Sequence, residues 1–311
     1  MTFDLITMGR VSVDVYPDQV GLPLEDVESF GRYLGGSPTN VAVAAARYGR
    51  SAAVITRTGD DPFGRFVHKT LKEYGVDDRF VTAVPGLPTP LAFCEIFPPD
   101  DFPLYFYRYP KAPDLEIHAH ELDLEAIREA RIVWATVTGL SQEPSREATL
   151  TALGEHPGQT VIDLDYRPML WADPTEAPHW AGLALERASV AVGNLDECEI
   201  AVGEREPRAA AQAILERGPR LAVVKMGPDG VLAATADEVV EVPPVEVDVV
   251  NGLGAGDAFG GALCHGLLAG WDLRRTIGFA AAAGAVVASR IACSAAMPAA
   301  AEVAELLEGR R

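Results

Sequence analysis

The chain has 311 residues, 48% hydrophobic and 23% charged, which is ordinary globular composition and enough length for one large α/β unit. Its formal net charge of −19 excludes the basic face a nucleic-acid partner needs, so a polyphosphate must be met locally by backbone amides, a few cations and a metal ion. There is no basic segment followed by an apolar core at the N-terminus, the longest apolar run (279–288) is too short for a membrane span, and the four cysteines show no paired spacing. A reduced, cytoplasmic protein with no membrane or nucleic-acid partner is therefore expected.

In chain order, short apolar runs at 3–8, 52–56, 132–135, 160–164, 189–192 and 221–224 read as buried strands. Helical stretches alternate with them. Ser37-Pro38 supplies an N-cap and an N1 proline for a helix closed by Gly49, and Asp61-Pro62 does the same for a helix closed by Gly75. Segments 91–97 and 104–109 form a hairpin with a long proline-bearing turn, and with 11–16 and 30–34 they compose a small sheet. A strand-like alternation over 245–250 then runs through Gly252-Leu253-Gly254-Ala255-Gly256 into a helix over 258–269. This alternation predicts an α/β fold, a mostly parallel sheet with helices on both faces. It reads as a single domain, 1–311, with a β-sheet lid from roughly 11–36 and 88–112 over a site at the strand C-termini.

The chemistry concentrates in the glycine-rich turn. Small residues at a helix N-terminus leave the amides of Gly254, Ala255 and Gly256 uncovered, where the helix dipole favours an anion. Asp257 beside them can take a proton from an attacking hydroxyl. The same turn would also serve simply to cap a helix. No Walker A motif, Gly-x-Gly-x-x-Gly strand-to-helix turn, His-Glu-x-x-His pair or Gly-x-Ser-x-Gly elbow is present. His118 and His120 have no third ligand nearby and read as surface loop. In Gly35-Gly36-Ser37-Pro38-Thr39-Asn40, an N-cap explains everything but Asn40, whose amide can meet sugar hydroxyls.

Gly35 through Asn40, Gly59-Asp60-Asp61-Pro62-Phe63-Gly64 and Gly254-Ala255-Gly256-Asp257-Ala258-Phe259 together resemble, in order, the signatures of the ribokinase-like (PfkB) carbohydrate kinases. The resemblance spans nearly the whole chain and implies the ribokinase-like fold, ATP as phosphoryl donor and Mg2+ as cofactor. It makes Asp257 the base and the amides of Gly254, Ala255 and Gly256 the anion hole. Asp14, Gly36 and Asn40 would hold the sugar. Asn194, Lys225, Gly227 and Gly230 would border the nucleotide, while Asn194 and Glu197 would organise magnesium through water. Asn194 and Glu197 also fit a plain helix cap with its first-turn acid. The chain departs from the family pattern at Asn251-Gly252-Leu253, where the family usually opens with Asp-Thr.

Asp163-Leu164-Asp165-Tyr166-Arg167 is similar to a segment of family members that act on sugar acids, so Arg167, and Arg108 on the hairpin, are candidates for the acid group. Arg167 equally fits a salt bridge to Asp163 or Asp165. Stretches around Met8-Gly9-Arg10, Tyr33–Asn40 and Phe97–Tyr105 resemble the subgroup that phosphorylates 5-dehydro-2-deoxy-D-gluconate in myo-inositol breakdown. The alternatives are a 2-keto-3-deoxygluconate kinase, a fructokinase, or a non-catalytic sugar or nucleotide sensor. The alternating aromatics of the hairpin point to a homodimer through the lid.

Overall fold

The structure, a computed structural model, describes residues 2–309. It begins with β1 (Leu5–Met8), β2 (Ser12–Pro17), β3 (Phe30–Gly35), α1 (Ser37–Arg47), β4 (Ala52–Gly59) and α2 (Pro62–Glu73). Next come β5 (Val76–Asp77), β6 (Val81–Val84), β7 (Leu91–Cys94), β8 (Leu104–Tyr107), α3 (Leu124–Glu129), β9 (Ile132–Thr136) and α4 (Ser145–Glu155). They are followed by β10 (Gln159–Asp163), α5 (Ala177–Leu185), β11 (Val190–Asn194), α6 (Leu195–Val202), α7 (Pro207–Glu216) and β12 (Leu221–Lys225). The chain ends with β13 (Val231–Ala234), β14 (Val239–Val242), α8 (Ala255–Ala269), α9 (Leu273–Ala288) and α10 (Ala300–Glu308).

The six apolar runs read from the sequence become β1, β4, β9, β10, β11 and β12, side by side and mutually parallel in the order β12-β11-β10-β9-β1-β4. Strands β1, β4 and β9 are buried at every position, as strands covered on both faces must be. Period-two alternation sorts their side chains. Leu5, Val54, Trp134 and Val192 join the core under α1, α8 and α9, whereas Ala135, Ile162 and Ala191 join the core under α5, α6 and α7. The antiparallel pair β13–β14 extends one edge, and β5 and β6 extend the other from β4.

Glycines inside α8 let it lie close to the rest of the core. A Cβ on Gly261 would sit 2.4 Å from the Ala44 Cβ of α1, and one on Gly260 would sit 2.6 Å from the Trp134 ring. The expected small sheet is also present, four strands in the order β3-β2-β7-β8. It leaves the main sheet directly at the C-terminal end of β1, because β2 begins at Ser12.

Two local expectations are corrected. Residues 245–250 form no strand; prolines 243 and 244 follow β14, and the Val250 and Asn251 amides both donate to the Ala288 carbonyl at the end of α9. Ser37 is not the cap of α1 but its first residue. Gly36 holds the cap position at φ 97°, and a Cβ there would lie 2.4 Å from the Arg10 carbonyl oxygen. The helix over Asp61-Pro62, in contrast, starts as read, with Asp61 accepting from the Gly64 amide.

Candidate active site

A cavity of about 390 Å³ opens at the C-terminal ends of β1, β10, β11 and β12, between the N-termini of α1 and α8 and beneath β2, β7 and β8. Open α/β sheets place ligands at this end because the loops there diverge. Among the described residues no helix is long and apolar enough to cross a membrane.

Helix α8 begins on Gly254 in the left-handed conformation, φ 81°, where a Cβ would lie 2.7 Å from Cys293 Sγ. No side chain caps this helix. Gly254 and Gly256 border the cavity, while Ala255 does not, and its N–H makes a long bond of 3.4 Å to the Gly252 carbonyl. The Asn251 amide donates to the Ile291 carbonyl at 2.6 Å and its carbonyl oxygen accepts from the Leu253 N–H, so the fully buried Asn251 fixes the turn.

Asp257 lies in the first turn of α8 and faces the cavity. Asn40 Nδ2 donates to its Oδ2 at 2.8 Å, joining the two helix N-termini across the site. Enclosure pushes the Asp257 carboxyl above its ordinary range, and the hydrogen bond from Asn40 only partly offsets this. Asn40 Oδ1 and Ser37 Oγ are buried without a partner, although both residues border the cavity. Unsatisfied buried oxygens are costly, and a ligand hydroxyl donating to them removes the cost.

Opposite Asp257 the walls are charged. Asp14 of β2 accepts from Ser12 Oγ at 2.7 Å and from the Tyr16 hydroxyl at 2.9 Å. Arg167 Nη2 lies 3.1 Å from Asp165 Oδ1, and Arg10 Nη2 lies 2.8 Å from Asp165 Oδ2. Burial would raise the Asp165 carboxyl, but the two guanidiniums hold it well below the usual range. Gly36 and Asn40 line the cavity at the start of α1. Arg108 is a correction: its guanidinium binds both oxygens of Asp114 at 2.5 and 3.2 Å and does not line the cavity.

Lys225, at the end of β12, borders the cavity against the start of α8, 3.3 Å from where a Gly256 Cβ would stand. Burial would lower its ammonium, yet Asp163 and Glu197 outweigh that and keep it charged. Gly227 lines the same end. Gly230 does not; it closes the β12–β13 hairpin at φ 91°, and a Cβ there would strike the Val242 carbonyl at 2.2 Å. Asn194 and Glu197 form a reciprocal capping box on α6, each side chain accepting from the other's amide at 2.9 and 2.8 Å. That leaves Glu197 Oε1, 3.6 Å from Arg167 Nη1, facing the cavity with Asp163.

Among the described residues no cluster of three or more His, Cys, Asp or Glu side chains is arranged to hold a metal ion. Glu197 and Asp163 nonetheless fit a magnesium ion that keeps most of its shell as water and phosphate oxygen, which is how this hard, reluctantly dehydrated ion usually binds beside a nucleotide.

The sequence reading passed over Arg10 and Asp163 as site residues. Both are the charged residue that follows or ends an apolar strand on the ligand side of the sheet, a signal available without coordinates. Burial pushes the Asp163 carboxyl up to about 7 despite Lys225. Cys293, whose Sγ lies 2.8 Å from the Tyr16 hydroxyl, reaches the cavity from a loop no motif marks.

Comparison with known proteins places this geometry. The family described as pfkB family carbohydrate kinase matches residues 2–300. The 5-dehydro-2-deoxygluconokinase of Geobacillus kaustophilus (strain HTA426) is 32% identical, the match covering 99% of this chain and 94% of that protein. The enzyme of the same name from Shouchella clausii (strain KSM-K16) is 33% identical, with 98% and 96% covered. Among solved structures, a fructokinase with bound ATP from Xylella fastidiosa superposes with a TM-score of 0.87 at 26% identity, covering 99% of both chains. A putative ribokinase II of E. coli in complex with ATP and Mg2+ shares the fold with a TM-score of 0.90, at 23% identity and 99% and 100% coverage.

Proposed function

The chain belongs to the PfkB family of carbohydrate kinases, and from that premise we propose that its acceptor is a sugar acid, 5-dehydro-2-deoxy-D-gluconate, phosphorylated by ATP on its terminal hydroxyl. The observation that carries the reading is the Asp257–Asn40 contact at 2.8 Å, between two helix starts that carry no side-chain cap, with arginines on the facing wall. Relatives bearing the name 5-dehydro-2-deoxygluconokinase over the full length support the acceptor.

In the reaction, Asp257 accepts the proton of the acceptor hydroxyl as its oxygen bonds to the γ-phosphorus, and the bond from that phosphorus to the β-bridging oxygen breaks to leave ADP. Asn40 keeps the carboxylate oriented through Nδ2, and its unpartnered Oδ1, with Ser37 Oγ, accepts from neighbouring sugar hydroxyls. The Gly254 and Gly256 amides and the Lys225 ammonium oppose the charge of the phosphoryl group in transit. Gly227 and Asn194 would border the nucleotide, and Glu197 and Asp163 would hold Mg2+ through its bound water. Bound there, Mg2+ supplies charge neutralisation at the phosphate oxygens. Arg167 addresses the acid group of the acceptor.

The small sheet acts in this reading as a lid: Ala92, Leu104 and Phe106 face the cavity. Its other face carries Phe30, Phe93 and Tyr107 in edge-to-face contact with ring centroids 5.8 and 5.5 Å apart, and Tyr107 is 61% exposed. A second copy of the chain covering that aromatic face makes a homodimer; a strict monomer in sedimentation at micromolar concentration overturns it. The four cysteines are all unpaired, which suits a cytoplasmic, reducing setting.

The deciding experiment is ADP release with ATP, Mg2+ and 5-dehydro-2-deoxy-D-gluconate beside 2-keto-3-deoxygluconate, fructose and ribose. Preference for the first is expected. Preference for another sugar keeps the chemistry at Asp257 and replaces the acceptor, whereas silence across the panel favours a sensor.

A further inference from the structure

Arg10 follows Gly9 (φ 137°) where the chain passes from β1 to the small sheet, and its side chain, 12% exposed, borders the cavity. Asp165, nearly buried, binds one guanidinium on each oxygen: Arg10 Nη2 on Oδ2 at 2.8 Å and Arg167 Nη2 on Oδ1 at 3.1 Å. Thr138 Oγ1 donates to the same Oδ2 at 3.3 Å, so the carboxylate is fixed by the main sheet side as well. Arg10 Nε is buried and makes no hydrogen bond. We infer that Arg10 and Arg167, held in place by Asp165, form the subsite for the acceptor's carboxylate, with Arg10 as its specificity-determining residue, an inference that rests on the sugar-acid reading above.

The charges around the cavity support this assignment. Its walls carry five carboxylates (Asp14, Asp163, Asp165, Glu197, Asp257) and three cations (Arg10, Arg167, Lys225). An anionic acceptor is repelled by most of that surface and needs a cationic foothold. Lys225 stands at the phosphoryl end against Gly256, and Arg108 is engaged by Asp114. The Arg10–Arg167 pair remains, two guanidiniums sharing the Asp165 carboxylate, with Arg167 Nη1 also 2.8 Å from the Tyr166 carbonyl and 3.6 Å from Glu197 Oε1. A guanidinium presents five donors in a rigid fork, and Arg10 has further donors beyond the one Asp165 takes. Charge-assisted bonds to a carboxylate fill them better than a neutral hydroxyl does. Asp165 is thus a positioning residue: it lets two cations stand side by side before the acceptor arrives.

Arg10 also lies within electrostatic reach of Asp257 and Asp14. The competing role is therefore tuning of the base, and the test must separate the two. It compares kcat/KM for 5-dehydro-2-deoxy-D-gluconate and its C1 carboxamide in the parent enzyme, Arg10→Gln and Arg10→Lys, with thermal unfolding to confirm folding. The parent prefers the acid; Arg10→Gln loses about a hundredfold on the acid and less than tenfold on the amide, the range for truncating one partner of an enclosed charge pair. Arg10→Lys, which keeps charge without the fork, falls between. Equal losses on both compounds, with the acidic limb of the kcat profile displaced, overturn the subsite and assign Arg10 to Asp257. No acid preference in the parent overturns the sugar-acid reading, and the subsite with it. Should Arg10→Gln fail to fold, Arg167→Gln, whose side chain is 33% exposed, is expected to reduce the same preference and serves as the second variant.

Discussion

Two pairs of helix starts in this molecule are built in opposite ways. Helices α2 and α6 open on Asp61 and Asn194, whose side chains accept from amides of the first turn. Helices α1 and α8 open on Gly36 and Gly254, at φ 97° and 81°, and neither has a side-chain cap. A side-chain cap is typically worth about 1 kcal/mol, so the second pair forgoes local stability. Both uncapped starts face the cavity, with Asn40 and Asp257 meeting between them. The contrast teaches that the two glycine starts meeting at the cavity keep their amides for a ligand, whereas α2, outside it, fills its own; α6 does both, since its capping box borders the cavity at Asn194 and Glu197.

The largest test of that contrast is Asp257→Asn, which keeps the Asn40 contact region but removes the base. Turnover should fall by ~10²–10⁴ while ATP and sugar binding persist in titration calorimetry; near-normal turnover would end the assignment. Arg108→Ala probes the scaffold side. It leaves nearly buried Asp114 without its ion partner, so unfolding free energy should drop by about 3 kcal/mol, read by urea denaturation, with little change in acid-over-amide preference. A change of preference with stability intact would return Arg108 to the site.

A smaller effect concerns pH. Burial holds the Asp163 proton in the folded protein up to about 7, against an ordinary value of 3.8. The folded chain therefore binds that proton more tightly than the unfolded chain does, and this group's contribution to stability falls as pH rises from about 4 to about 7. Asp163→Asn should flatten the decline across that window; an unchanged slope in denaturation at both pH values would refute it. The smallest effect is Asp61→Ala, which removes an N-cap and the bonds from Thr89 N and Oγ1. It should cost about 1 kcal/mol, a melting shift of roughly 2 °C, and leave kcat within a factor of two. A large loss of turnover would show that scaffold and site starts are not separable as argued.

The centre of the sheet, both proline-marked helices and the glycine-rich turn beside Asp257 are legible in the sequence, because these features are local. Buried parallel strands are continuous apolar runs, helix ends carry their own punctuation, and a left-handed turn demands glycine. The capping box at Asn194 and Glu197 was legible for the same reason. Which charged groups share the cavity depends instead on long-range packing. Arg108 and Arg10 are alike in type, yet Asp114 engages one and Asp165 the other. The alternation over 245–250 looked like a strand but lacks a strand partner, its last amides going to Ala288 instead. Local pattern records what a segment can do; long-range hydrogen bonds and ion pairs, formed between residues more than a hundred positions apart such as Arg10 and Asp165, select what it does.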